Sequence, residues 1–281
     1  MRKLEDRVAV VTGASSGIGR ATAVALADRG CDLALADVNE LGLAETRALL
    51  ESSGRRISTH RVDVSDKKQM EDFTQAVLAE HGRVHVLVNN AGVGVASTFE
   101  QQSLEDFEWL FGINFWGVVY GCKFFLPHLR QADEAHIVNI SSVFGIVGVP
   151  MNSSYCASKF AVRGLSESLR AELTGTHIGV TSVYPGGVAT NIAKAARYGA
   201  DPEAEDLRAQ TVKLFTRMLP PAEAAAAIVR GIRRNSARVL ITKEAHAIDA
   251  MKRIFPGLAG EALGRAWRYQ ADRRNRKGRS A

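Results

Sequence analysis

VAVVTGASSGIG, residues 8–19, is the stretch that decides the fold of this 281-residue chain. Its first four residues are apolar and mostly β-branched, which predicts a strand buried on both faces of a parallel sheet. Glycines follow at positions 13, 17 and 19, and an alanine-rich helix is predicted up to Arg29. Such a turn lets a phosphate approach the backbone at the positive end of a helix. An ordinary turn is the alternative, but strand, glycine turn and helix come in the order that dinucleotide binding requires.

The second strand candidate, residues 33–36, ends at Asp37. In a dinucleotide fold, an acid at this place accepts hydrogen bonds from the ribose hydroxyls, and it would repel a 2′-phosphate. Asp37 therefore favours NAD over NADP, although a strand-end acid that faces water is the alternative. Arg20 and Arg29 are basic residues nearby in sequence, so NADP stays open.

Tyr155 and Lys159 lie four positions apart, a spacing that places both side chains on one face of a helix. A fixed ammonium group favours the phenolate, and a lowering of the tyrosine pKa by about three units would suit it to proton transfer near neutral pH. An exposed surface pair is the alternative for this spacing alone. We expect the pair to be catalytic because the rest of the chain supports it.

Short apolar segments alternate with longer helical patterns along residues 8–242. This alternation predicts an α/β fold, a doubly wound, Rossmann-like parallel sheet of about seven strands with helices on both faces. The predicted strands lie near 8–11, 33–36, 57–62, 84–88, 135–140, 178–184 and 238–242. The predicted helices lie near 17–29, 40–53, 66–81, 104–130, 155–174 and 222–235.

Residues 190–220 interrupt that alternation with a long insertion of mixed acidic and apolar character. Long insertions of this kind often cover a site, so we expect a substrate lid; a helical hairpin packed permanently on the body is the alternative. We assign residues 1–242 to one catalytic domain that includes this lid. Residues 243–281 form a C-terminal, helical, basic extension in this scheme.

Composition narrows the class of protein. The chain is 46% hydrophobic, enough for a substantial core, and no apolar run of about 18 residues indicates a membrane-spanning helix. The charged N-terminus does not fit a secretory signal. Three cysteines without metal-ligand spacing suit a reducing compartment, so we expect a cytoplasmic protein without a metal.

The net charge of +6 is placed unevenly. Residues 265–281 contain seven basic residues and one acid, which equals the net charge of the whole chain. A basic tail can attract nucleic acid or anionic lipid, but a solvated or docked segment is the favoured interpretation. We do not expect nucleic-acid binding; peripheral membrane contact by the tail is kept as an alternative. The mixed apolar and basic stretch 251–256 could contact a membrane, a neighbouring subunit or the pocket rim.

Together these motifs resemble the short-chain dehydrogenase/reductase family over residues 9–240, in the family's order. The resemblance implies a catalytic set of Asn114, Ser142, Tyr155 and Lys159. The serine is assigned to Ser142 rather than Ser141 from its distance of 13 positions to Tyr155. Besides Tyr155 and Lys159, the implied cofactor-binding residues are Gly13, Ser15, Ser16, Gly17, Ile18, Gly19, Asp37, Asp63, Val64, Asn90, Ala91, Gly92, Pro185, Gly186, Val188 and Thr190.

In this family pattern, Tyr155 is the general acid or base and Lys159 stabilises its phenolate and binds the nicotinamide ribose. Ser142 holds the substrate oxygen, and Asn114 holds a water that links Lys159 to solvent. The family also implies a homodimer or homotetramer, formed through the helices that carry Asn114 and Tyr155.

We therefore expect an enzyme that moves a hydride between NAD(H) and a secondary alcohol or ketone. Loops near the site carry the apolar residues Val93, Val95, Phe144, Val147, Val149 and Met151, so the expected substrate is hydrophobic. The alternatives are an NADP-dependent carbonyl reductase, a regulator that senses dinucleotides without turnover, and a module that tethers through its basic tail. The complete catalytic set argues against the regulator.

Overall fold

A computed structural model describes residues 1, 3–199, 204–257, 260, 261, 264, 265 and 268. The strands are β1 (Val8–Thr12), β2 (Asp32–Asp37), β3 (Ile57–Arg61), β4 (Val86–Asn89), β5 (Val95–Ala96), β6 (Ala135–Ile140), β7 (Ile178–Pro185), β8 (Arg197–Tyr198) and β9 (Arg238–Ile241). The α-helices are α1 (Gly17–Ala27), α2 (Glu40–Leu50), α3 (Lys67–His81), α4 (Leu104–Phe111), α5 (Gly117–Leu129), α6 (Ser153–Glu172), α7 (Ile192–Ala195), α8 (Ala204–Phe215), α9 (Pro221–Arg234) and α10 (Lys243–Ile254). Short 3-10 turns cover Glu51–Ser53 and Val143–Gly145.

Seven of these strands form one parallel sheet in the order β3-β2-β1-β4-β6-β7-β9. Every residue of β1, β4, β6 and β7 is buried, as continuous apolar runs in a parallel sheet require. The predicted doubly wound α/β fold of seven strands is thus confirmed. The order reverses between β1 and β4, and ligands of such sheets bind at that reversal, beyond the carboxyl ends of the strands.

Apolar side chains fill both faces of the sheet. On one face, α1 and α9 pack together, with Leu26 and Ile228 fully buried. On the other face, α3, α5 and α6 cover the sheet, with Phe73 and Phe125 in edge-to-face contact at 5.7 Å between ring centroids. The two layers fix the sheet, and hence the turns at its carboxyl edge, as a rigid support.

The helix predicted near 104–130 contains a local irregularity. Between α4 and α5, residues Gly112–Trp116 adopt a π-helical turn that places Asn114 in a fully buried position. Sequence periodicity does not reveal a π turn, which often occurs at functional sites.

Among the described residues, 104–129 is also the one helix long and apolar enough to cross a membrane. A core helix passes the same test, and this one packs against α3 and α6.

Two short strands were not predicted. β5 pairs with β8 in a separate parallel sheet, so residues 95–96 hold the first half of the predicted lid. Next to this pair, the guanidinium of Arg197 stacks on the ring of Trp109 at 3.7 Å and pairs with Asp106 at 2.6 Å. Residues 200–203 of the lid, and most of the basic tail after 257, lie outside the described residues. The domain boundary at 242 stays a prediction.

Candidate active site

The glycine turn after β1 is shaped by close contacts between backbone segments. Gly13 has a φ of +66°, and a Cβ there would lie 2.8 Å from the Cα of Ala91. A Cβ at Gly19 would overlap the carbonyl oxygen of Gly13 and lie 2.5 Å from Nδ2 of Asn90. Only glycine fits these positions, so β1, α1 and the end of β4 meet backbone to backbone.

The start of α1 has the features of a phosphate site. Ser16 precedes the helix in an extended conformation, and its side chain makes no capping hydrogen bond. The N–H groups of the first turn are therefore available at the positive end of the helix. Ile18 packs its side chain against the core, while Thr190 approaches from the far side: a Cβ at Gly17 would lie 3.1 Å from Cγ2 of Thr190.

Thr12 joins the turn to the end of β4, a role that sequence reasoning missed. Its Oγ1 accepts hydrogen bonds from the N–H groups of Asn90 at 3.0 Å and Ala91 at 3.2 Å. Asn90 in turn donates through Nδ2 to the carbonyls of Thr12 and Gly13 at 2.9 and 3.1 Å. A threonine at a strand end is common, so no sequence signal marked it.

Asp37 lies at the end of β2, beside the glycine turn. Its carboxylate accepts hydrogen bonds from the N–H groups of Ser15 and Asn39, both at 3.0 Å. Arg20 binds the carbonyl oxygen of Ser15 and pairs with Glu45 at 2.7 Å, and Arg29 donates to the carbonyl of Ala25 at 2.7 Å. Both arginines thus have partners within the chain, and the Asp37 carboxylate lies beside the glycine turn at the end of β2.

The segment after β3 lines the next part of the same edge. Asp63 accepts hydrogen bonds through Oδ1 from the N–H and hydroxyl of Ser65, at 2.9 and 2.6 Å. Val64 is buried, and its side chain approaches Gly117 at the start of α5. These contacts order the turn that carries Asp63 and Val64, two of the cofactor-binding residues that the family resemblance implies.

The predicted catalytic side chains come together at the carboxyl ends of β4 and β6. Tyr155 and Lys159 share one face of α6, with Nζ of Lys159 5.6 Å from the centre of the Tyr155 ring. Ser142 follows β6 and hydrogen-bonds to Tyr155. A Cβ at Gly92 would lie 3.2 Å from Oδ1 of Asn114 and 3.5 Å from Nζ of Lys159, so both side chains border one small space.

The charge state of the pair differs from the expectation. Burial raises the pKa of Tyr155 to about 12, although the hydrogen bond from Ser142 opposes the rise. Burial also lowers the pKa of Lys159 to about 8. The prediction that Lys159 depresses the tyrosine pKa is therefore wrong for the protein alone, because burial is the largest influence on the pKa of each group.

A backbone carbonyl that sequence reasoning missed positions Lys159. Its Nζ donates to the carbonyl oxygen of Ile140 at 3.0 Å, at the end of β6. Ser141 also serves α6, because its Oγ donates to the carbonyl of Lys159 at 2.8 Å. Ser142 accepts a hydrogen bond at its Oγ from the N–H of Phe144 at 3.1 Å, while its hydroxyl is directed to Tyr155. Ser141 thus supports helix α6, whereas Ser142 faces the candidate active site.

Asn114 is held on both sides of its amide. Oδ1 accepts from the N–H of Val93 at 2.8 Å, and Nδ2 donates to the carbonyl of Val93 at 3.0 Å. This pair of bonds ties the π turn to the loop after β4. Asn114 therefore orders the loop that carries Gly92, besides bordering the space near Lys159.

The segment from Pro185 to Thr190 completes the edge. The N–H of Gly186 donates to the carbonyl of Ile241 at 2.9 Å, and a Cβ there would overlap Oγ1 of Thr242. Val188 is buried and pairs with Leu219. All the predicted cofactor-binding residues thus end or follow one of the strands β1 to β4 and β7, or lie on α1 and α6. A glycine turn at a helix start, a strand-end acid and a cleft that reaches Tyr155 fit a dinucleotide with its nicotinamide near Tyr155.

Comparison with known proteins agrees with this geometry. The family model for short chain dehydrogenases matches residues 7–201. The chain belongs to the short-chain dehydrogenase family. It is therefore an NAD(P)-dependent oxidoreductase.

Three relatives of this short-chain dehydrogenase are informative. The chain is 42% identical over 257 residues to the oxidoreductase SadH of Mycobacterium tuberculosis, covering 91% of this chain and 93% of that protein. The crystal structure of a short-chain dehydrogenase/reductase from Burkholderia phymatum in complex with NAD superposes with a TM-score of 0.86 and 33% identity, over 92% and 97% of the two chains. A 3-ketodihydrosphingosine reductase of Bacteroides thetaiotaomicron is 36% identical over 183 residues, 65% of this chain and 64% of its own.

Side chains that could bind a metal ion are not clustered in the described part of this short-chain dehydrogenase. No group of three or more His, Cys, Asp or Glu side chains there is close enough to hold a metal ion. The three cysteines are buried and unpaired by disulfides.

Proposed function

We propose that this short-chain dehydrogenase transfers a hydride between NAD(H) and a hydrophobic secondary alcohol or ketone, with Tyr155, Ser142, Lys159 and Asn114 as its catalytic set. One observation carries the proposal: Tyr155, Lys159 and Ser142 meet at the carboxyl edge of the sheet, beside the glycine turn. Nicotinamide, when bound, supplies or accepts the hydride, and the chain supplies orientation and the proton.

Tyr155 handles the proton at the substrate oxygen. With its pKa raised to about 12, the phenol is a proton donor near neutral pH, which suits reduction of a ketone. In the direction of alcohol oxidation, Tyr155 has to act as a phenolate, and positive charge close to its oxygen would favour that form. The Ser142 hydroxyl would donate a hydrogen bond, without transfer of its proton, to the same substrate oxygen and so fix the reacting atoms in place.

Lys159 and Asn114 support this proton transfer. The ammonium group of Lys159 is buried and held by the Ile140 carbonyl, which fixes it 5.6 Å from the centre of the Tyr155 ring. With its pKa lowered to about 8, Lys159 can also release and regain a proton near neutral pH. Asn114 borders the same space and would hold the water through which that proton passes.

The preference for NAD is part of the proposal. Asp37 presents a carboxylate at the end of β2, and Arg20 and Arg29 are bound to other groups. The relative from Burkholderia phymatum was solved with NAD. A dinucleotide with a 2′-phosphate would meet the Asp37 charge without a basic partner from these two residues.

The proposed substrate is apolar because of the residues around Tyr155. The ring of Phe144 packs edge-on against Tyr155, with centroids 6.1 Å apart. Val95 and Val147, on the loops predicted to line the site, are also buried. A reductase whose name specifies a long-chain amino ketone is among the relatives, which supports a hydrophobic carbonyl compound.

Two further parts of the proposal rest on the surface around the cleft. Residues 190–220 would form the substrate lid, held at its start by the β5–β8 pair and by Arg197.

A row of aromatic rings from Phe107 to Phe124 runs along α4 and α5, and Trp116 in this row is 47% exposed. We propose that this face joins subunits of a homodimer or homotetramer, and location in the cytoplasm stays a prediction.

A cofactor-by-substrate screen tests the proposal. The enzyme would be assayed with NAD(H) and NADP(H) against apolar cyclic and long-chain ketones, their alcohols, and small charged hydroxy acids. We expect turnover with NAD(H) and apolar compounds. Activity restricted to charged hydroxy acids would contradict the substrate class. Tight dinucleotide binding without turnover on any compound would favour the dinucleotide-sensing regulator.

A further inference from the structure

Helix α10 exposes an apolar stripe on its outer side. Ala247, Ala250, Met251 and Ile254 are all exposed, and their spacing of i, i+3, i+4 and i+7 places them on one helix face. Phe255 extends the stripe beyond the helix. Ile254 is 68% exposed and Phe255 53% exposed, so most of these two side chains lies in water. We call these five residues the α10 stripe.

The opposite face of α10 anchors the helix, so the direction of the stripe is fixed. Ala245 is fully buried and Asp249 is 8% exposed. Asp249 accepts two hydrogen bonds from the guanidinium of Arg238 on β9, at 2.6 and 3.1 Å, and a third from Arg253 at 3.0 Å. Thr242 caps the first turn through the N–H of Ala245 at 3.3 Å. A helix held in this way presents the stripe outward as a preformed surface.

Charge around the stripe is positive. Lys243, Lys252 and Arg253 lie on the same helix as the stripe. Residues 243–281 contain ten basic and four acidic residues, a net +6, whereas residues 1–242 are neutral in sum. The whole excess of positive charge in the chain is therefore attached to this helix or follows it in sequence.

The stripe also lies close to the candidate active site. Helix α10 contacts the Val143–Gly145 turn that follows Ser142. At its start, Thr242 packs on Gly186 in the segment that follows β7. Under the proposed function, a substrate that approaches Ser142 past this turn would pass next to α10.

We propose that the α10 stripe, together with the basic residues that α10 carries, binds the surface of an anionic lipid bilayer. An apolar helix face bordered by basic residues is the pattern that inserts into the headgroup boundary and attracts anionic lipid. A second copy of the chain would bring two positive surfaces together, which disfavours self-association through this face. Nucleic acid would engage the positive charge but would leave the exposed apolar side chains without a role. The link to substrate entry rests on the proposed function, whereas the binding itself does not.

Vesicle co-sedimentation with the full chain tests the proposal. Vesicles of phosphatidylcholine alone would be compared with vesicles of equal parts phosphatidylcholine and phosphatidylglycerol. We expect binding to the anionic vesicles only, and weakening as salt shortens the range of electrostatic attraction from about 10 Å at 0.1 M to about 3 Å at 1 M. The double variant Ile254→Ser/Phe255→Ser should bind at least about tenfold more weakly, because it removes most of the inserted apolar surface.

The matched control removes equally exposed apolar side chains elsewhere. Leu41 and Leu49 on α2 are 81% and 60% exposed, and the variant Leu41→Ser/Leu49→Ser should bind vesicles within about twofold of the unmodified chain. Equal binding of the α10 variant and the unmodified chain would overturn the proposal. Equal binding to both vesicle types would also overturn it.

Two other results would assign the surface to a different partner and overturn the proposal. One is a change of oligomeric state, seen by light scattering, in the Ile254→Ser/Phe255→Ser variant. The other is salt-sensitive binding of a DNA duplex without vesicle binding. Turnover of a water-soluble ketone, measured without vesicles, is a separate readout, because its absence would refute the proposed enzyme and leave the vesicle result intact.

Discussion

The glycine turn and the catalytic pair lie at the same edge of the sheet, yet they are built in different ways. The turn depends on backbone contacts: residues 13 and 19 leave no room for a Cβ, and Asn90 and Thr12 join neighbouring segments by hydrogen bonds. The catalytic pair depends on two ionisable side chains, the half-buried Tyr155 and the buried Lys159, whose pKa values both move toward the neutral form.

The function of the glycine turn thus depends on its shape, whereas the function of the catalytic pair depends on charge. Backbone contacts and neutral hydrogen bonds of the turn are complete within the chain itself. At the catalytic end the positions are fixed, but burial makes both charged forms costly. Reactivity there depends on which neighbouring charges are present, whereas cofactor recognition at the turn depends on space. Substitutions in the turn should therefore weaken NAD binding, whereas substitutions in the catalytic pair should lower turnover.

Removing the Tyr155 hydroxyl should have the largest effect and should leave the turn unaffected. For Tyr155→Phe we expect kcat to fall by about a thousandfold, because the proton donor at the substrate oxygen is lost. NAD binding, measured by titration calorimetry, should stay within about twofold. Tyr120→Phe is the matched control, since it removes the same atom from a ring stacked between Trp116 and Phe124 on α5. Near-normal turnover of Tyr155→Phe would remove Tyr155 from the mechanism.

Adding one methyl group to the turn should produce the opposite pattern. For Gly19→Ala we expect NAD binding to weaken by about 10- to 100-fold, because the new Cβ overlaps the Gly13 carbonyl and displaces Asn90. The free energy of unfolding should fall by about 1–3 kcal/mol in a denaturant titration. Gly164→Ala on α6 is the control, with no atom within 4 Å of its Cβ, and it should stabilise the helix by up to about 1 kcal/mol. Normal NAD affinity in Gly19→Ala would show that the turn tolerates more space than its contacts indicate.

Asp37 adds a charged side chain to the glycine turn, whose shape otherwise depends on close backbone contacts. For Asp37→Ala we expect the ratio of kcat/KM for NAD to that for NADP to fall by about tenfold, because the carboxylate no longer repels a 2′-phosphate. The variant also loses the hydrogen bond to the N–H of Ser15, so Asp37→Asn, which keeps an acceptor, separates charge from structure. An unchanged ratio in both variants would refute the role of Asp37 in cofactor choice.

The sequence predicted the sheet because most of its strands are short apolar runs between helices with clear periodicity. All seven strands and the six helices of the alternating pattern are confirmed, and burial on both faces leaves little freedom in the central strands β1, β4, β6 and β7. The β5–β8 pair is only two residues per strand, too short for any periodic signal. The π turn around Asn114 is similarly hidden, because one extra residue per turn does not disturb an apolar pattern.

At the site, residue types were easier to predict than their electrostatic state. Tyr155, Lys159 and Ser142 were placed together by spacing and resemblance, and the structure brings them together. The Ile140 carbonyl that holds Lys159 leaves no trace in the sequence, because every residue has a carbonyl. Nor does spacing report burial, which is why the expected direction of the tyrosine pKa was wrong.

The smallest predicted effect concerns the charge on Lys159. Its pKa is lowered from 10.5 to about 8 by burial, so the unfolded chain holds more protons than the folded protein between those values. Stability should therefore rise with pH through this window, and the full cost of the buried charge is present below about pH 8. Tyr155 acts in the opposite sense only above its usual value near 10, because its pKa is raised.

Comparison with Lys159→Met isolates this contribution, since all other titrating groups are shared. From about pH 7 to pH 9 we expect the free energy of unfolding to rise by about 1 kcal/mol more in the unmodified protein than in Lys159→Met. Urea titrations of the cofactor-free proteins across this range provide the measurement. Parallel pH profiles would mean that the ammonium group is as well solvated in the fold as in water. That result would contradict the claim that burial makes the charged forms of the catalytic pair costly, and would leave the claim about the shape of the turn unaffected.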